Sequence, residues 1–408
     1  MMKSVSYIYD KTVVLLLKQF ARAFAYLVPR RRDLVVLGAW CGDRYADGPK
    51  FLAEYLLEKS ELNLVWIGKP AVRESLPQHR RLSFAEMGSW AAFWALLRAK
   101  TWACCISIEW DLTTWPIEGS ARIFNTWHGF GIKRDGNDTK EARQRQGKAS
   151  LAGRIVRFLE LHKCPWGLVG GEQDVGQLLR VCKGYFRADQ MLRVGTPPDD
   201  YLLNHKHDAD LIRLIRGKYE KLLGIGADKK IVTYLPTWRN SGVKVFSFYG
   251  LPEEEQEKWR QMLAEQNAVI VEKHHPRTLM EFPMVSESRC SIPISLEMQK
   301  KIEVYELLLV TDILISDCSG AYKDFGVLKR PCIHFMYDLD DYADNCSGLV
   351  EGWRDMLAGP LVLDEPTLVD VVRSGLQNPR YEPAAGYEKT VEYQKGKACE
   401  SVLKMIEG

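Results

Sequence analysis

The segment that decides the fold runs from Ile313 to Asp324 and reads ILISDCSGAYKD. It begins with the apolar run of a buried strand, and a helical stretch opens at Ala321. The polar residues between them, Asp317 to Gly320, form the turn from strand to helix. Strand, turn and helix in this order are the repeating unit of a parallel sheet, in which ligands lie at the carboxyl ends of the strands.

The same alternation of strands and helices extends outward over most of the 408 residues. In the second half it predicts strands at 231–235, 269–272, 313–315 and 332–335, and helices at 209–223, 254–266, 298–309 and from 321. In the first half it predicts strands at 34–37, 62–67, 104–108, 122–125 and 167–169, and helices at 49–57, 84–98, 151–161 and 175–181. This pattern indicates an α/β protein with two doubly wound, Rossmann-type domains that face a cleft.

The length and composition are those of two globular domains. The chain is 46% hydrophobic and 27% charged. Gly195 and the pair Pro197-Pro198 end regular structure, so we place the first domain boundary there. We expect a helix over 1–32, an N-terminal domain over 33–200, a C-terminal domain over 201–380 and a helix with a tail over 381–408. The ten cysteines show no paired spacing, which favours reduced thiols in a cytosolic protein.

Residues 1–32 have the pattern of a helix that lies on a membrane surface. They carry seven cations against one acid, Asp10, and Arg30 to Arg32 are expected to close the helix. At helical spacing one side holds Lys11, Lys18, Gln19 and Arg22, with Leu15 as an apolar exception, and the other side holds Val13, Leu16, Leu17, Phe20, Phe24, Leu27 and Val28. No apolar run reaches the roughly 20 residues of a membrane span. We expect peripheral attachment to the cytoplasmic face of an anionic cell membrane, or else a helix that packs on its own domain.

A candidate catalytic histidine follows a predicted strand in the first half. Asn125 to Lys133 reads NTWHGFGIK, which places His128 at a strand end and Gly129 directly after it. Histidine titrates near neutral pH and suits a general base, and the glycine leaves room for a substrate. We expect Asn125, Gly129 and Lys133 to form an anion-binding site. A histidine that only caps a turn is the alternative.

Two strand ends in the second half supply cations. Thr237 and Arg239 offer a hydroxyl and a planar guanidinium that suits phosphate oxygens, although a surface turn explains them equally well. Lys273 and His275 follow the next strand. Because adjacent residues of a strand point to opposite faces, only one of His274 and His275 is expected to line the site.

The turn in the deciding segment is the third strand end. Ser319 and the backbone N–H groups at the start of the helix form a phosphate site, unless the turn is only a cap. Asp317 would cap the helix or accept a ligand hydroxyl, and Ser316 and Asp324 complete the predicted donor-binding set. The three strand ends together could neutralise a diphosphate without a metal. No third ligand accompanies the two histidines, so we expect no metal site and no required cofactor.

These motifs, taken in order, resemble the CDP-glycerol glycerophosphotransferase family, the teichoic acid primases and polymerases with related capsule polymerases. The motifs are His-Gly-x-x-Ile-Lys, Pro-Thr-Trp-Arg, Lys-x-His-Pro, Ser-Asp-x-Ser and Tyr-Asp-x-x-x-Tyr, and the resemblance runs from about Leu34 to Asp364. It implies a GT-B-type fold in which the N-terminal domain binds the acceptor and the C-terminal domain binds the CDP-linked donor. It also implies monotopic membrane attachment, since the acceptor is commonly lipid-linked.

The resemblance also implies roles for single residues. His128 corresponds to the family's essential histidine near the transferred group, and His275 would contact the donor pyrophosphate. The residues that fall at donor-site positions are Thr237, Arg239, Asp317 and Ser319. The sequence departs from the family where Cys318-Ser319-Gly320 replaces Tyr-Ser-Ser and where Ser347-Gly348-Leu349 replaces an Arg-Gly-aromatic segment.

The predicted reaction is the transfer of a polyol phosphate, most simply glycerol phosphate, from a CDP-polyol to a lipid-linked or polymeric acceptor. A hydroxyl activated by His128 attacks the polyol-bearing phosphorus and CMP leaves, its charge held by Arg239, Lys273, His275 and the Ser319 turn. A GT-B glycosyltransferase that uses a nucleotide sugar and a degenerate membrane scaffold are the alternatives. The basic run over 133–157 allows RNA binding, but an anionic acceptor or lipid explains it equally well and interleaved aromatic residues are missing, so we expect no nucleic acid partner.

Overall fold

The computed structural model describes residues 2–134, 136–139, 162–239, 243, 245–282, 288, 290–345 and 348–408. The chain divides into two compact units. The first unit comprises Met1–His128, Gly136–Asp200 and Tyr393–Gly408, and the second comprises Gly129–Asp135 and Tyr201–Glu392.

The first unit is built on a parallel sheet. Its strands are β1 (Arg31–Gly38), β2 (Asn63–Gly68), β3 (Leu82–Glu86), β4 (Ala99–Cys104), β5 (Arg122–Asn125), β6 (Trp166–Leu168) and β7 (Met191–Leu192). They lie in the order β3-β2-β1-β4-β5-β6-β7. The first helices of the described chain are α1 (Met2–Ala25), α2 (Asp47–Lys59), α3 (Trp90–Arg98), α4 (Ile108–Asp111), α5 (Glu172–Val181) and α6 (Pro197–His205).

Strand β1 shows why this sheet is covered on both faces. Val35 and Leu37 join one buried cluster with residues of α2, whereas Leu34 and Val36 join a second cluster with residues of α1 and α3. Successive side chains of a strand point to opposite faces, so a strand that is apolar at every position needs helices on both sides. The continuous apolar run of β1 therefore specifies a doubly wound unit.

The second unit repeats this architecture. Its strands are β8 (Lys230–Leu235), β9 (Ala268–Glu272), β10 (Ser291–Pro293), β11 (Ile313–Ser316), β12 (Cys332–Phe335) and β13 (Leu361–Val362), in the order β10-β9-β8-β11-β12-β13. Its helices in the described chain are α7 (Ala209–Leu223), α8 (Glu253–Glu265), α9 (Pro276–Glu281), α10 (Leu296–Gln299), α11 (Val304–Val310), α12 (Ala321–Gly326), α13 (Leu339–Asn345) and α14 (Glu365–Gln377). Tyr234 and Ile315 pack with Trp259 of α8 and Leu368 of α14 in one core cluster.

Both sheets contain a point where the strand order reverses direction. In the first sheet it lies between β1 and β4, and in the second between β8 and β11. All recorded pairings there are parallel, so the strands of each pair end at the same edge. Ligands of open α/β sheets bind outside the carboxyl ends of strands at such a switch point. The predicted α/β class with two doubly wound units is confirmed.

The last helix, α15 (Ala398–Glu407), returns to the first unit instead of forming part of a separate tail. Its residues Ala398, Cys399, Val402 and Leu403 join the cluster that α2 covers. The buried carboxylate of Asp200 accepts hydrogen bonds from the N–H groups of Ala398 and Cys399 at 3.0 and 2.7 Å, which caps the start of α15.

Three predicted elements depart most clearly from the structure. The helix expected over 84–98 begins only at Trp90, because Leu82–Glu86 pairs with β2 as the edge strand β3. The strand expected over 104–108 ends at Cys104, because Ser107 caps α4. The helix expected over 298–309 divides into α10 and α11, and the Glu303 side chain caps the second. The helix expected over 151–161 lies outside the described residues.

The N-terminal helix is also shorter than predicted, since α1 ends at Ala25. Arg30 does not close it. The Arg30 guanidinium donates to the carbonyl oxygens of Leu96, Ala99 and Ile117 at 2.7 to 2.9 Å, and burial lowers its pKa to about 10. Arg30 therefore anchors the chain within the first unit rather than facing lipid.

Candidate active site

The donor-side candidates meet at the switch point of the second sheet, where β8 and β11 lie side by side. The Asp317 carboxylate, directly after β11, is buried. It accepts hydrogen bonds from the backbone N–H and the hydroxyl of Thr237, at 2.9 and 2.6 Å, and from the N–H of Ser319 at 3.1 Å. Asp317 therefore ties the ends of two strands together and caps the turn, with its oxygens occupied by protein groups.

Arg239 is held between two carboxylates and is only 2% exposed. Its Nη1 donates to Asp317 at 2.8 Å, and its Nε and Nη2 form a two-pronged pair with Asp338 at 2.7 and 3.0 Å. Burial alone would lower the pKa of Arg239, but Asp317 and Asp338 outweigh it and the pKa is raised. The guanidinium also lies 4.6 Å from the ring centroid of Tyr342. This geometry makes Arg239 a positioning residue, and the direct phosphate contact predicted for it stays untested.

The residues of the turn divide into buried and accessible ones. Ser316 is buried and its hydroxyl donates to the Leu235 carbonyl at 3.1 Å, and the donor contact predicted for Ser316 stays a prediction. Cys318 is also buried, and burial raises the pKa of its thiol to about 12. Ser319 is half-buried and is the hydroxyl of this turn that a ligand can reach.

His334 of β12, which the sequence motifs did not indicate, contacts the backbone of the Asp317 turn. The N–H of Ala358 donates to Nε2 of His334 at 3.0 Å, so that nitrogen carries no proton. Nδ1 is then protonated and donates to the Asp317 carbonyl at 3.0 Å. Burial lowers the pKa of His334 to about 4, which keeps the ring neutral as both hydrogen bonds require.

The strand end after β9 separates its two histidines, as predicted. His274 is buried and its Nε2 lies 2.7 Å from the buried Glu272 carboxylate. His275 is exposed and caps α9, where its Nδ1 accepts from the N–H of Arg277 at 3.2 Å. Lys273, between β9 and these histidines, is half-buried. His275 and Lys273 are thus accessible polar side chains at this strand end.

The segment after His128 packs directly on the Asp317 turn. A Cβ on Gly131 would lie 2.2 Å from the Cys318 carbonyl oxygen, and one on Gly320 would lie 3.2 Å from the backbone of Phe130. Backbone therefore meets backbone at this contact, which belongs to the second unit. Gly320 stands where the family pattern has a serine. This departure from the family pattern therefore lies at a position where the backbone packs tightly.

Two further predicted residues lie close to this contact. Lys133 forms an isolated bridge with Leu349, and Arg134 donates from its N–H to the Gly348 carbonyl at 2.9 Å and from Nε to the Leu349 carbonyl at 2.8 Å. An arginine side chain is therefore present at the segment where the family pattern has its own arginine. Asp324, on α12, accepts a hydrogen bond from the Tyr305 hydroxyl at 3.3 Å.

His128 lies at the carboxyl edge of the first sheet among strained aromatic residues. Its ring stacks on Trp127 with centroids 4.4 Å apart and lies 5.7 Å from the ring of Trp40, which follows β1. Trp127, Trp40 and Cys41 have φ angles of 55°, 51° and 55°. Residues other than glycine rarely adopt this left-handed backbone conformation. Backbone strain of this kind clusters at functional sites. Gly129 follows with a φ of 94°.

Two buried polar residues hold this strained edge in place. Asp111 accepts hydrogen bonds from the N–H groups of Cys41, Cys105 and Ile106 at 2.6 to 3.0 Å, and it ties the Trp40 loop to the exit of β4. Asn125 is fully buried, donates to the Ile106 carbonyl and accepts from the N–H of Trp127. Both ends of the Asn125 amide therefore shape the turn before His128, and the anion-binding contact predicted for Asn125 stays a prediction.

Groups of three or more possible metal ligands were sought across the described ranges, and none was found. Within those ranges the site chemistry is that of histidines, lysines, hydroxyls and backbone N–H groups.

A doubly wound unit with hydroxyls and cations at its switch point is the architecture of nucleotide-dependent enzymes. The pattern that defines the family "CDP-Glycerol:Poly(glycerophosphate) glycerophosphotransferase" matches residues 20–408. The chain belongs to this family of enzymes, as its motifs predicted. The match favours polyol-phosphate transfer over the nucleotide-sugar and scaffold alternatives.

Known relatives cover nearly the full chain. The chain is 25% identical to a teichoic acid glycerol-phosphate transferase of Staphylococcus aureus, over 92% of this chain and 93% of the relative. It is 23% identical to a teichoic acid poly(glycerol phosphate) polymerase of Bacillus spizizenii, over 94% of each. The solved structure of the wall teichoic acid polymerase TagF is similar with a TM-score of 0.73 and 22% identity, over 98% of this chain and 96% of that one. This likeness confirms the predicted GT-B-like fold.

Proposed function

We propose that this protein transfers glycerol phosphate from CDP-glycerol to a hydroxyl group of a lipid-linked or polymeric acceptor and releases CMP. The observation that carries the proposal is the family match over residues 20–408. The proposal is supported by the second sheet, where Ser319 lies on the turn at the switch point and the accessible Lys273 and His275 follow β9, the strand beside β8.

The proposed step is an in-line displacement at phosphorus. The acceptor oxygen bonds to the phosphorus that carries glycerol while His128 takes the hydroxyl proton, and the bond from that phosphorus to the bridging oxygen of the pyrophosphate breaks. CMP leaves with the electron pair of that bond. Lys273 and His275 stabilise the charge that develops on CMP.

The Arg239 network suggests a division of labour on the donor side. Arg239 with Asp317 and Asp338 sums to a charge of −1 when all three are ionised, so this cluster does not offset the donor's negative charge. We assign it the placement of the Thr237 and Ser319 hydroxyls, which needs rigidity rather than charge. The charge of the diphosphate then falls to the cations after β9.

The test is nucleotide release from a panel of donors. Purified protein would receive CDP-glycerol, CDP-ribitol or UDP- and GDP-sugars, with a membrane lipid extract as acceptor. We expect CMP from CDP-glycerol, loss of CMP release in His128→Ala with CDP-glycerol affinity kept, and normal release in the control His207→Ala, an exposed histidine of the second unit. Release of UDP, GDP or CDP from a sugar donor in place of CMP would sink the proposal.

We further propose that α1 lies on an anionic membrane surface. Leu16, Phe20 and Leu27 are 65%, 72% and 78% exposed, so the side predicted to be apolar faces outward. Ala25 is buried in the first unit, while Lys18 and Arg22 are half-buried. Within the part of the chain that the structure describes, no helix is both long and apolar enough to cross a membrane. An exposed apolar helix side with adjacent cations suits attachment at the interface.

A second helix adds to the same surface. α1 and α3 pack against one core cluster, on the same face of the first sheet. Trp90 of α3 is 75% exposed and stacks on Phe93, and the Arg98 guanidinium lies 6.0 Å from the Trp94 ring. Tryptophan and arginine side chains favour the level of lipid head groups.

Binding to vesicles tests this surface. We expect the protein to sediment with vesicles that contain anionic lipid, and Phe20→Glu to weaken this binding several-fold because a charge would enter the apolar side. The matched control is Leu214→Glu, at a leucine of the second unit that is 71% exposed. Equal binding of both variants would argue against the proposed surface.

A further inference from the structure

The second unit has a cavity at the sheet edge opposite the donor turn. Its volume is about 250 Å³, and its lining includes Lys230, Asp312, Lys329, Arg330 and Tyr381. Lys230 begins β8, Asp312 precedes β11, and Arg330 lies two residues before β12. Because these strands are parallel, their amino ends meet at one edge, about 20 Å from the carboxyl end of the six-residue β8.

Three cations line this cavity without a carboxylate partner. Lys230 Nζ donates to the Leu376 carbonyl at 2.6 Å, and Arg330 Nη1 donates to the carbonyls of Leu309 and Thr311 at 2.7 and 2.8 Å. Lys329 is exposed, and no hydrogen bond joins its side chain to another described residue. Among the described residues none of the three forms an ion pair, although the charge of Asp312 in the same lining acts on Arg330.

The one carboxylate of the lining is already occupied. Asp312 Oδ2 accepts from the N–H of Ile231 at 2.7 Å and lies 3.8 Å from Nη2 of a fourth cation, Arg216. Burial lowers the pKa of Arg330, and the charge of Arg216 lowers it further against the opposing effect of Asp312. Partly buried cations are stabilised by an anion that can accept their hydrogen bonds.

The volume limits what this anion can be. Pockets that enclose drug-sized molecules measure roughly 300–1,000 Å³, so a cavity of 250 Å³ is too small for a whole nucleotide. It has room for one phosphate group with a short polyol. Tyr381 and the apolar stems of the lysines suit the carbon atoms of such a unit.

We propose that this cavity binds one phosphate group of a glycerol-phosphate chain, as a second anion site apart from the donor turn. The assignment of the phosphate to a polymer rests on the proposed function, whereas the anion site itself does not. A polymer held there would stay with the protein between transfers, by a contact that takes no part in the chemistry.

Calorimetric titration tests the site with two probes, inorganic phosphate and a synthetic oligo(glycerol phosphate). The variant is Lys329→Gln, because this exposed side chain has no hydrogen bond or ion pair to another described residue. The control is Lys301→Gln, at another exposed lysine of the second unit. We expect Lys329→Gln to weaken oligomer binding about tenfold, the loss of one charge-assisted hydrogen bond, and the control to leave it unchanged.

The outcomes separate the possibilities. Weaker oligomer binding in Lys329→Gln alone supports the proposal. Weaker binding of inorganic phosphate with no binding of the oligomer would overturn the polymer as the source and leave a site for free phosphate. Equal affinities in all three proteins would overturn the site. Failure of the proposed function would appear elsewhere, as absence of CMP release by the wild-type protein.

Discussion

In the second unit the ends of the switch-point strands are joined by charged side chains, with Arg239 between Asp317 and Asp338. In the first unit the corresponding strand ends are joined by backbone N–H groups that converge on Asp111. The backbone differs too. Trp40, Cys41 and Trp127 are left-handed in the first unit, whereas Gly320, in the donor turn, has a φ of −60°.

The difference shows two ways to fix a loop at a sheet edge. A left-handed residue other than glycine costs of the order of 1–3 kcal/mol and persists only where its surroundings determine it. A buried ion network costs desolvation instead, and it fails badly when one partner is removed. The strained edge carries the candidate base, and the charged edge carries the candidate donor site.

The largest expected effect comes from breaking the charged edge. Arg239→Met should destabilise the protein by about 3–5 kcal/mol, because it strands the buried carboxylate of Asp317. The measurement is the free energy of unfolding in urea. The control is Arg213→Met, which breaks a pair with Asp210 whose side chains are 78% and 91% exposed, and should cost less than about 1 kcal/mol. Similar losses for the two variants would contradict the role of the network.

The strained edge should respond less. Asp111→Asn replaces one acceptor oxygen with an amide and leaves a buried N–H unpaired, at a cost of about 2 kcal/mol, with no stranded charge. Unfolding in urea gives the stability, and CMP release should fall because the Trp40 loop loses its anchor. Asp43→Asn, at an exposed partner of Lys69, is the control in the same unit. A loss as large as that of Arg239→Met would remove the distinction between the two edges.

The contact between Gly131 and the donor turn should be sensitive to a single methyl group. Gly131→Ala would place a Cβ against the Cys318 carbonyl, and overpacking of this kind costs about 1–2 kcal/mol. We expect a lower melting temperature and slower CMP release. Gly217→Ala, in α7 with no atom within 4 Å of the new Cβ, should be neutral or stabilising. A silent Gly131→Ala would show that the turn can shift without consequence.

The last expected effect is a pH dependence of the donor edge. His334 has its pKa lowered from 6.5 to about 4, so below pH 6.5 the unfolded state binds the proton that the folded state excludes. Stability should therefore fall as pH decreases from 6.5 towards 4, by about 1.4 kcal/mol per pH unit from this group. Urea unfolding at pH 5 and pH 7 measures it. His334→Gln should flatten the dependence and His207→Gln should not, and an equal slope in both variants would exclude His334 as its source.

Sequence reasoning succeeded where the pattern was local. The helix Ala209–Leu223 and the strand Cys332–Phe335 were predicted with the bounds that the structure shows, since a capping Asp208 and a terminal Gly224 mark the helix and mostly apolar residues mark the strand. The helix predicted over 298–309 failed because the Glu303 side chain starts a new helix there. A glutamate inside a helical pattern does not reveal from the sequence alone that its carboxylate will cap a new helix.

The sequence motifs predicted which segments form the candidate site, but not which side chains pair with one another there. The Arg239 guanidinium suits two phosphate oxygens, but in the structure it donates to the carboxylate of Asp338, which lies 99 residues further along the chain. Asp111 and His334 were missed because each acts through backbone groups that only the fold brings near. Asn125 and Ser316 were assigned to ligands because polar residues at strand ends suggest them, whereas tertiary packing buries both.

The return of α15 to the first unit affects the order in which this protein can be built. The first unit lacks part of its core until Ala398, Val402 and Leu403 reach the cluster that α2 covers, and these residues are synthesised after every strand of the second unit. The second unit consists of Tyr201–Glu392 and the short Gly129–Asp135 segment, so all of its residues are synthesised before α15. In order of synthesis, therefore, the half that carries the candidate donor site has all of its residues before the half that carries His128 receives α15.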